Sequence, residues 1–135
     1  MTGQNAAENA RAEMARAQEA LRACEVLLRE SLFNDAISDA YYACFHAVRA
    51  LLFTLGQEPR SHRGALHLFN LHFVRTGRLD ARHLAALARA QYDRVSADYG
   101  ASRRFSREEA EEELAAAREL VTAAQLLLAG TSPPD

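Results

Sequence analysis

The side chains best suited to chemistry lie in RAQYDRVSADY, residues 89–99. Arg94 and Asp98 are four residues apart, so on a helix they can form an ion pair. Tyr99 follows directly and adds a phenol at the end of that helix. An arginine held by a carboxylate can bind a phosphodiester, but a structural salt bridge at the edge of the core would show the same pattern. These residues alone leave both interpretations open.

A second group of polar and aromatic side chains lies in AISDAYYACFHAVRALL, residues 36–52. Asp39, Tyr42 and His46 recur at spacings of three and four, so they share one side of a helix. Another side carries an apolar stripe, which consists of Ile37, Tyr41, Cys44, Val48, Leu51 and Leu55. We therefore predict a central helix that packs with the stripe and presents Asp39, Tyr42 and His46, as binding residues, to a cleft or a second subunit.

Other kinds of site lack the spacing that they need. His62, His67 and His72 are five residues apart, which turns each about 140° from the last around a helix, so they cannot form a helical zinc site. The sequence contains neither a glycine-rich phosphate loop nor a G-x-S-x-G motif. We expect no metal ion and no cofactor.

The composition is that of a globular protein. The chain has 135 residues, of which 49% are hydrophobic and 25% charged, and this is enough for one domain with a core. The net charge of -2 gives no overall attraction to nucleic acid, although arginine supplies all of the positive charge and suits phosphate and carboxylate ligands. No stretch is long and apolar enough to span a membrane. We expect a cytoplasmic protein with two buried, reduced cysteines.

Helical periodicity and capping residues divide the chain into five predicted helices. They cover residues 6–30, 35–55, 62–76, 81–99 and 107–129, with loose tails at 1–5 and 130–135. The predicted N-caps are Asn34, Ser61, Asp80 and Ser106, the last in a capping box with Glu109. The fourth helix is predicted to pack with Leu84, Leu87, Gln91, Ala88, Tyr92 and Val95. Short connections favour antiparallel neighbours, so we predict an all-α, up-and-down five-helix bundle in a single domain, residues 1–135.

Several blocks of the sequence, taken together, resemble the HEPN superfamily. They are AISDAYYACFHAVRALL, SHRG, LFNLHFVRTG and RVSADY, which occur in the family's order across roughly residues 21–128. The chain looks most like the small stand-alone prokaryotic branch. The resemblance implies a helical bundle that dimerises. Many such proteins are partners of a minimal nucleotidyltransferase in toxin–antitoxin pairs, and many are metal-independent endoribonucleases with an R-x4-6-H motif in a cleft between subunits.

That motif is degenerate in this chain. Arg94 matches the family's arginine, which stabilises the phosphate in active members, but no histidine follows Arg94 anywhere in the sequence. Tyr99 stands at the x4 position, and a phenol, with a reference pKa of about 10, is poorly suited to proton transfer at neutral pH. His46 or His62 could supply an imidazole from another helix. The resemblance also implies that Tyr99 could accept AMP from the nucleotidyltransferase.

The leading hypothesis is therefore a homodimeric HEPN protein, paired with a minimal nucleotidyltransferase and acting on RNA or a nucleotide. In this hypothesis Arg94 contacts phosphate, Asp98 orients Arg94, and Tyr99 contacts substrate or accepts AMP. The alternative is a non-catalytic helical module that binds a nucleotide or a protein. A third hypothesis is a structural dimer whose interface is the aromatic face that includes Tyr42 and Phe45.

Overall fold

The computed structural model describes residues 3–99 and 103–130, and every regular element in these two ranges is helical. The elements are α1 (Gly3–Arg29), α2 (Phe33–Phe53), α3 (His62–Phe69), α4 (Ala81–Tyr99) and α5 (Arg107–Leu128), with a π-helical turn, Asn70–Val74, that continues α3. The predicted all-α bundle of five helices is confirmed. No helix in the described ranges is long and apolar enough to cross a membrane.

The core is organised around α2, which packs against each of the other four helices. Twelve of its 21 residues are buried, so it is enclosed on most sides. The predicted stripe is confirmed from Ile37 to Leu51, but Leu55 lies beyond the end of the helix and is 41% exposed. Alanines of α2, such as Ala40 and Ala47, have no exposed surface. Such small side chains let neighbouring helices approach closely.

The side chain of Asn34 does not cap α2, contrary to the prediction. The N-cap position is Leu32, which makes no side-chain cap bond. The amide of Asn34 instead donates to the carbonyls of Ala97, at 3.4 Å, and Arg103, at 2.9 Å, and accepts from the N–H of Phe105 at 3.0 Å. Its hydrogen bonds are therefore long-range, whereas the sequence pattern suggested a local one.

The short helix α3 is fixed at its start by a cap and further along by two aromatic rings. Ser61 accepts a hydrogen bond at 2.9 Å from the backbone N–H three residues on, which confirms this predicted cap and makes His62 the first helical residue. Phe69 and Phe73 have no exposed surface, and their ring centroids are 6.0 Å apart. The predicted capping box of Ser106 on α5 is also confirmed.

The buried face of α4 agrees with the prediction in part, because Leu87 is buried and Leu84 packs against the core. Its buried residues are His83, Leu87, Ala90 and Arg94. Tyr92 and Val95, which were predicted to pack beside the core, are 74% and 43% exposed. The buried line has a histidine at one end and an arginine at the other, so apolar periodicity finds Leu87 but misses the two polar ends. As a result, α4 turns an arginine inward and leaves apolar side chains in solvent.

A carboxyl group is buried where α4 meets α5. Glu113 is only 4% exposed, and Arg89 Nε lies 3.8 Å from its Oε1 and 3.5 Å from Asp93 Oδ2. Burial, together with the neighbouring carboxylate of Asp93, raises the pKa of Glu113 to about 8. The folded protein therefore holds a proton on Glu113 at neutral pH that the unfolded chain releases.

Between about pH 4.5 and 8 the folded protein binds this proton more strongly than the unfolded chain does, because the pKa of Glu113 is raised only in the folded state. The free energy of unfolding should therefore fall as pH rises through this range. We expect Glu113→Gln, which keeps a neutral side chain of similar shape, to raise the free energy of unfolding at pH 8 by on the order of a few kcal/mol. The gain should be much smaller at pH 5. Urea unfolding at both pH values measures it.

The matched control for this variant is Glu111→Gln, since Glu111 is an exposed carboxylate on the same helix. It should change stability by about 0.5 kcal/mol or less. A Glu113→Gln variant that is no more stable at pH 8 than at pH 5, relative to wild type, would show that Glu113 is ionised in the folded protein.

Candidate functional site

The side chain of Arg94, on α4, packs against α2 and leaves the residue only 8% exposed. Its Nη1 donates to Asp98 Oδ2 at 3.4 Å, the ion pair that their spacing predicted. Ser38 on α2 donates to the other carboxylate oxygen of Asp98. The guanidinium carbon is 5.5 Å from the ring centroids of both Tyr41 and Tyr42, within cation–π range. One carboxylate and two aromatic rings therefore hold the guanidinium in place.

Several donors of this guanidinium have no close partner in the described part of the chain. Arg94 Nε is buried and has no hydrogen-bond partner among the described residues, and the bond from Nη1 to Asp98 is long at 3.4 Å. A guanidinium carries five N–H donors in a planar fork that matches phosphate geometry. A phosphate oxygen would satisfy donors that the protein leaves unpaired.

The structure brings His62 against Arg94. Arg94 Nη2 lies 3.4 Å from His62 Nε2, and His62 Nδ1 is hydrogen-bonded to the Tyr41 hydroxyl. Burial and the neighbouring Arg94 charge lower the pKa of His62. Because a guanidinium only donates, Nε2 is the acceptor and Nδ1–H donates to Tyr41. His62 is therefore a neutral imidazole with its basic nitrogen turned towards Arg94.

The sequence did not indicate this pairing. His62 precedes Arg94 by 32 residues and lies on a different helix, so no motif spacing links them. The available signal was the SHRG block, in which Ser61 caps α3 and so fixes His62 at the start of that helix. Sequence reasoning named His62 as one of two possible sources of an imidazole but could not locate it.

A cleft of about 260 Å³ opens beside His62, and Arg94 lies behind His62 and outside the lining of this cleft. It is lined by Tyr41, His62, Arg63, Leu66, Leu87, Ala88 and Gln91. Gln91 precedes Arg94 by one turn of α4, and its buried Oε1 has no partner among the residues that the structure describes. The cleft combines an apolar wall with the imidazole of His62, the guanidinium of Arg63 and an unpaired amide oxygen, a composition typical of ligand sites.

The predicted binding residues lie at different distances from Arg94. Tyr42 contacts it directly through the ring described above. Burial and the nearby charges of Asp35 on α2 and Asp98 on α4 raise the pKa of Asp39. Asp39 therefore lies near the carboxylate that holds Arg94. His46 is bound elsewhere: its Nδ1 lies 2.6 Å from Glu13 Oε2 on α1. It does not contact Arg94 directly, and the ring centroid of Tyr42, which does, is 6.4 Å from that of His46.

The predicted catalytic residue Tyr99 is apart from this group. It ends α4 with 75% of its surface exposed. It makes no side-chain hydrogen bond or ring contact within the part of the chain that the structure describes. Five residues on a helix separate it from Arg94 by about 140°, so the two side chains point in different directions. The phenol is accessible, but it does not take the place of the motif histidine beside the guanidinium.

Comparison with known proteins matches most of the chain to one domain family. A model of the HEPN domain matches residues 10–127. A protein of Methanocaldococcus jannaschii named "Putative toxin MJ0605" is 36% identical over 83 residues, which are 62% of this chain and 62% of that protein. A UPF0332 protein of Gloeobacter violaceus is 38% identical over 87 residues, or 64% and 69% of the two chains.

A second protein of Methanocaldococcus jannaschii, "Putative toxin MJ0142", is 35% identical over 96 residues, 71% of this chain and 65% of that one. These matched segments thus span roughly two thirds of each relative. The family model covers most of the chain and parts of all five helices. Together with the all-helical bundle, this shows that the chain belongs to the HEPN domain family.

Proposed function

We propose that this chain is the toxin of a two-component system, that it cleaves single-stranded RNA in the cytoplasm without a metal ion, and that Arg94 and His62 are its catalytic residues. The observation that supports this best is the 3.4 Å separation of Arg94 Nη2 and His62 Nε2. His62 supplies from α3 the imidazole that the motif lacks after Arg94. The toxin names of two relatives agree with the proposal.

The proposed reaction is attack of a ribose 2′-hydroxyl on the adjacent phosphate. In this step the Nη2–H of Arg94 turns from His62 Nε2 to the bound phosphate, which frees that nitrogen to take the 2′-hydroxyl proton as the new bond from O2′ to phosphorus forms. Arg94 donates to the phosphate oxygens and stabilises their developing charge. The bond from phosphorus to the 5′ oxygen breaks, that oxygen takes a proton from water, and the resulting hydroxide takes the proton back from His62. The products are a 2′,3′-cyclic phosphate and a 5′-hydroxyl. Tyr41 holds the imidazole and Asp98 the guanidinium as positioning residues.

We further propose a homodimer and a minimal nucleotidyltransferase as partner. The exposed face of α4 that carries Tyr92, Val95 and Tyr99 supports association, because contiguous apolar side chains in solvent favour an interface. The 75% exposure of Tyr99 supports its role as an acceptor of AMP from that partner. Sedimentation of the protein alone, and mass spectrometry of Tyr99 after incubation with the partner and ATP, examine these two points.

The decisive experiment compares wild type with Arg94→Ala on a mixed RNA pool, with and without EDTA. We expect wild type to cut RNA in both conditions and leave 2′,3′-cyclic phosphate ends, and Arg94→Ala to be about 10²–10³-fold slower, the usual cost of removing a charge-stabilising donor. Arg82→Ala, at a more exposed arginine on the same helix, should cleave like wild type. Intact RNA in every lane would contradict the proposal and favour the non-catalytic binding module.

A further inference from the structure

A second charged cluster lies between α1 and α2, outside the cleft. Glu13 on α1 is only 5% exposed, which is unusual for a carboxylate. It accepts from His46 Nδ1 at 2.6 Å and faces Arg49 Nε at 3.8 Å and Arg16 Nη1 at 3.6 Å. The single carboxylate of Glu13 therefore faces two guanidinium groups and an imidazole. The cluster keeps a positive excess on a protein whose overall net charge is -2.

Arg49 is the member of the cluster that is best placed to bind a ligand. Its guanidinium carbon lies 5.7 Å from the ring centroid of Phe45 and 5.0 Å from that of Phe53, so two aromatic rings fix its orientation. Its Nε faces Glu13, and its two terminal nitrogens donate to no described residue. The side chain of Arg49 is 24% exposed and that of Arg16 is 64% exposed. A buried carboxylate thus orients arginines whose outer donors are free.

Aromatic rings connect this cluster to the cleft. The Tyr42 ring lies 5.5 Å from the Arg94 guanidinium and 6.4 Å from the His46 ring. The Phe45 ring lies 4.8 Å from the His62 ring and 5.7 Å from the His46 ring. From Tyr42 to Arg49 is seven residues, or about 10 Å along α2. Cations and rings therefore alternate along one side of α2, starting at Arg94.

We propose that Arg49 and Arg16, organised by Glu13 and His46, form a second phosphate-binding subsite, which takes the backbone of a single-stranded RNA a few nucleotides from the bond that is cut. The inference rests on the proposed function, because it assigns Arg94 and His62 to the scissile phosphate. Alternation of cationic and aromatic side chains matches a strand whose phosphates need positive charge and whose bases need flat surfaces. A purely structural cluster would need Glu13 and His46 but not the free donors of Arg49.

The test is binding of a 2′-O-methyl RNA oligonucleotide, which lacks the attacking hydroxyl and cannot be cut. Fluorescence anisotropy at several salt concentrations compares wild type with Arg49→Gln. We expect affinity to fall about tenfold and the salt dependence to become shallower by about 0.7 in log–log slope for the one lost phosphate contact. The control is Arg78→Gln, because Arg78 also lies over a ring, that of Phe73 at 4.7 Å, but far along the chain from α2. It should bind like wild type.

A second variant keeps the test decisive if Arg49→Gln is unstable. Arg16→Gln changes an exposed side chain on α1, and we expect it to weaken binding in the same direction by a smaller factor. Equal affinity and equal salt slope in wild type, Arg49→Gln and Arg16→Gln would overturn the inference. So would variants that change only self-association in sedimentation, because the face would then be an interface between copies of the chain.

Cleavage assays separate this inference from the proposed function. If wild type cuts RNA, Arg49→Gln should raise KM for a long RNA and leave kcat unchanged. If wild type cuts nothing but binds the oligonucleotide in a manner that depends on Arg49, the subsite holds and the ribonuclease proposal fails. If wild type cuts RNA and Arg49→Gln matches it in both KM and binding, the ribonuclease holds and the subsite fails.

Discussion

His62→Asn is expected to reduce RNA cleavage by about 10²–10⁴-fold, the usual contribution of a positioned general base. Asparagine can retain a hydrogen bond to the Tyr41 hydroxyl, so α3 should stay in place, but its amide cannot take a proton from a 2′-hydroxyl. Single-turnover cleavage of a labelled RNA measures the effect. His67→Asn is the matched control, because His67 is exposed on the same helix, and it should cut at the wild-type rate.

The pH profile tests the same assignment independently. A general base works in its neutral form, and the pKa of His62 is lowered from its usual 6.5 by burial and by Arg94. The acidic limb of kcat/KM should therefore have its midpoint below pH 6.5, with activity constant through pH 7. A profile that still rises above pH 7, or a His62→Asn variant that cleaves like wild type, would rule His62 out as the base.

Phe69→Ala is expected to lower the free energy of unfolding by about 3–5 kcal/mol, the usual cost of removing a fully buried ring. Phe69 has no exposed surface and anchors a helix of only eight residues, so few other contacts can compensate. This loss is a large share of the 5–15 kcal/mol that is typical of a folded domain. Urea unfolding followed by circular dichroism measures it.

Leu71→Ala is the control for the predicted loss of stability in Phe69→Ala. Leu71 belongs to the π-helical turn that follows α3 and is 38% exposed, so its loss should cost about 1 kcal/mol or less. If Phe69→Ala is no more destabilising than Leu71→Ala, burial of the Phe69 ring is not what stabilises α3 against the core. Any Phe69→Ala protein that remains folded should also cleave RNA more slowly, since α3 carries His62.

Local signals in the sequence predicted the features that depend on neighbouring residues. The stripe from Ile37 to Leu51 and the caps at Ser61 and Ser106 are confirmed, because periodicity and capping act within a few residues. Recognition of the family from four sequence blocks is confirmed by the match over residues 10–127.

Features that depend on tertiary packing could not be predicted. The inward face of α4 was predicted only in part because it ends in Arg94, whose burial is compensated by Asp98 and by rings from α2. Asn34 was assigned to a cap because no sequence rule connects it with Arg103, 69 residues away. The neighbours of Arg94 and of His46 are likewise set by how helices cross, so sequence spacing grouped His46 with the cleft.

The three hydrogen bonds of Asn34 have a consequence for how this chain can vary. One amide fastens the end of α4, at the carbonyl of Ala97, and the approach to α5, at Arg103 and Phe105. The two flanks of the connection are thus tied to α2 separately. Lengthening that connection should cost little more than the entropy of closing a longer loop. It is a place where related chains can differ in length while the fold stays the same.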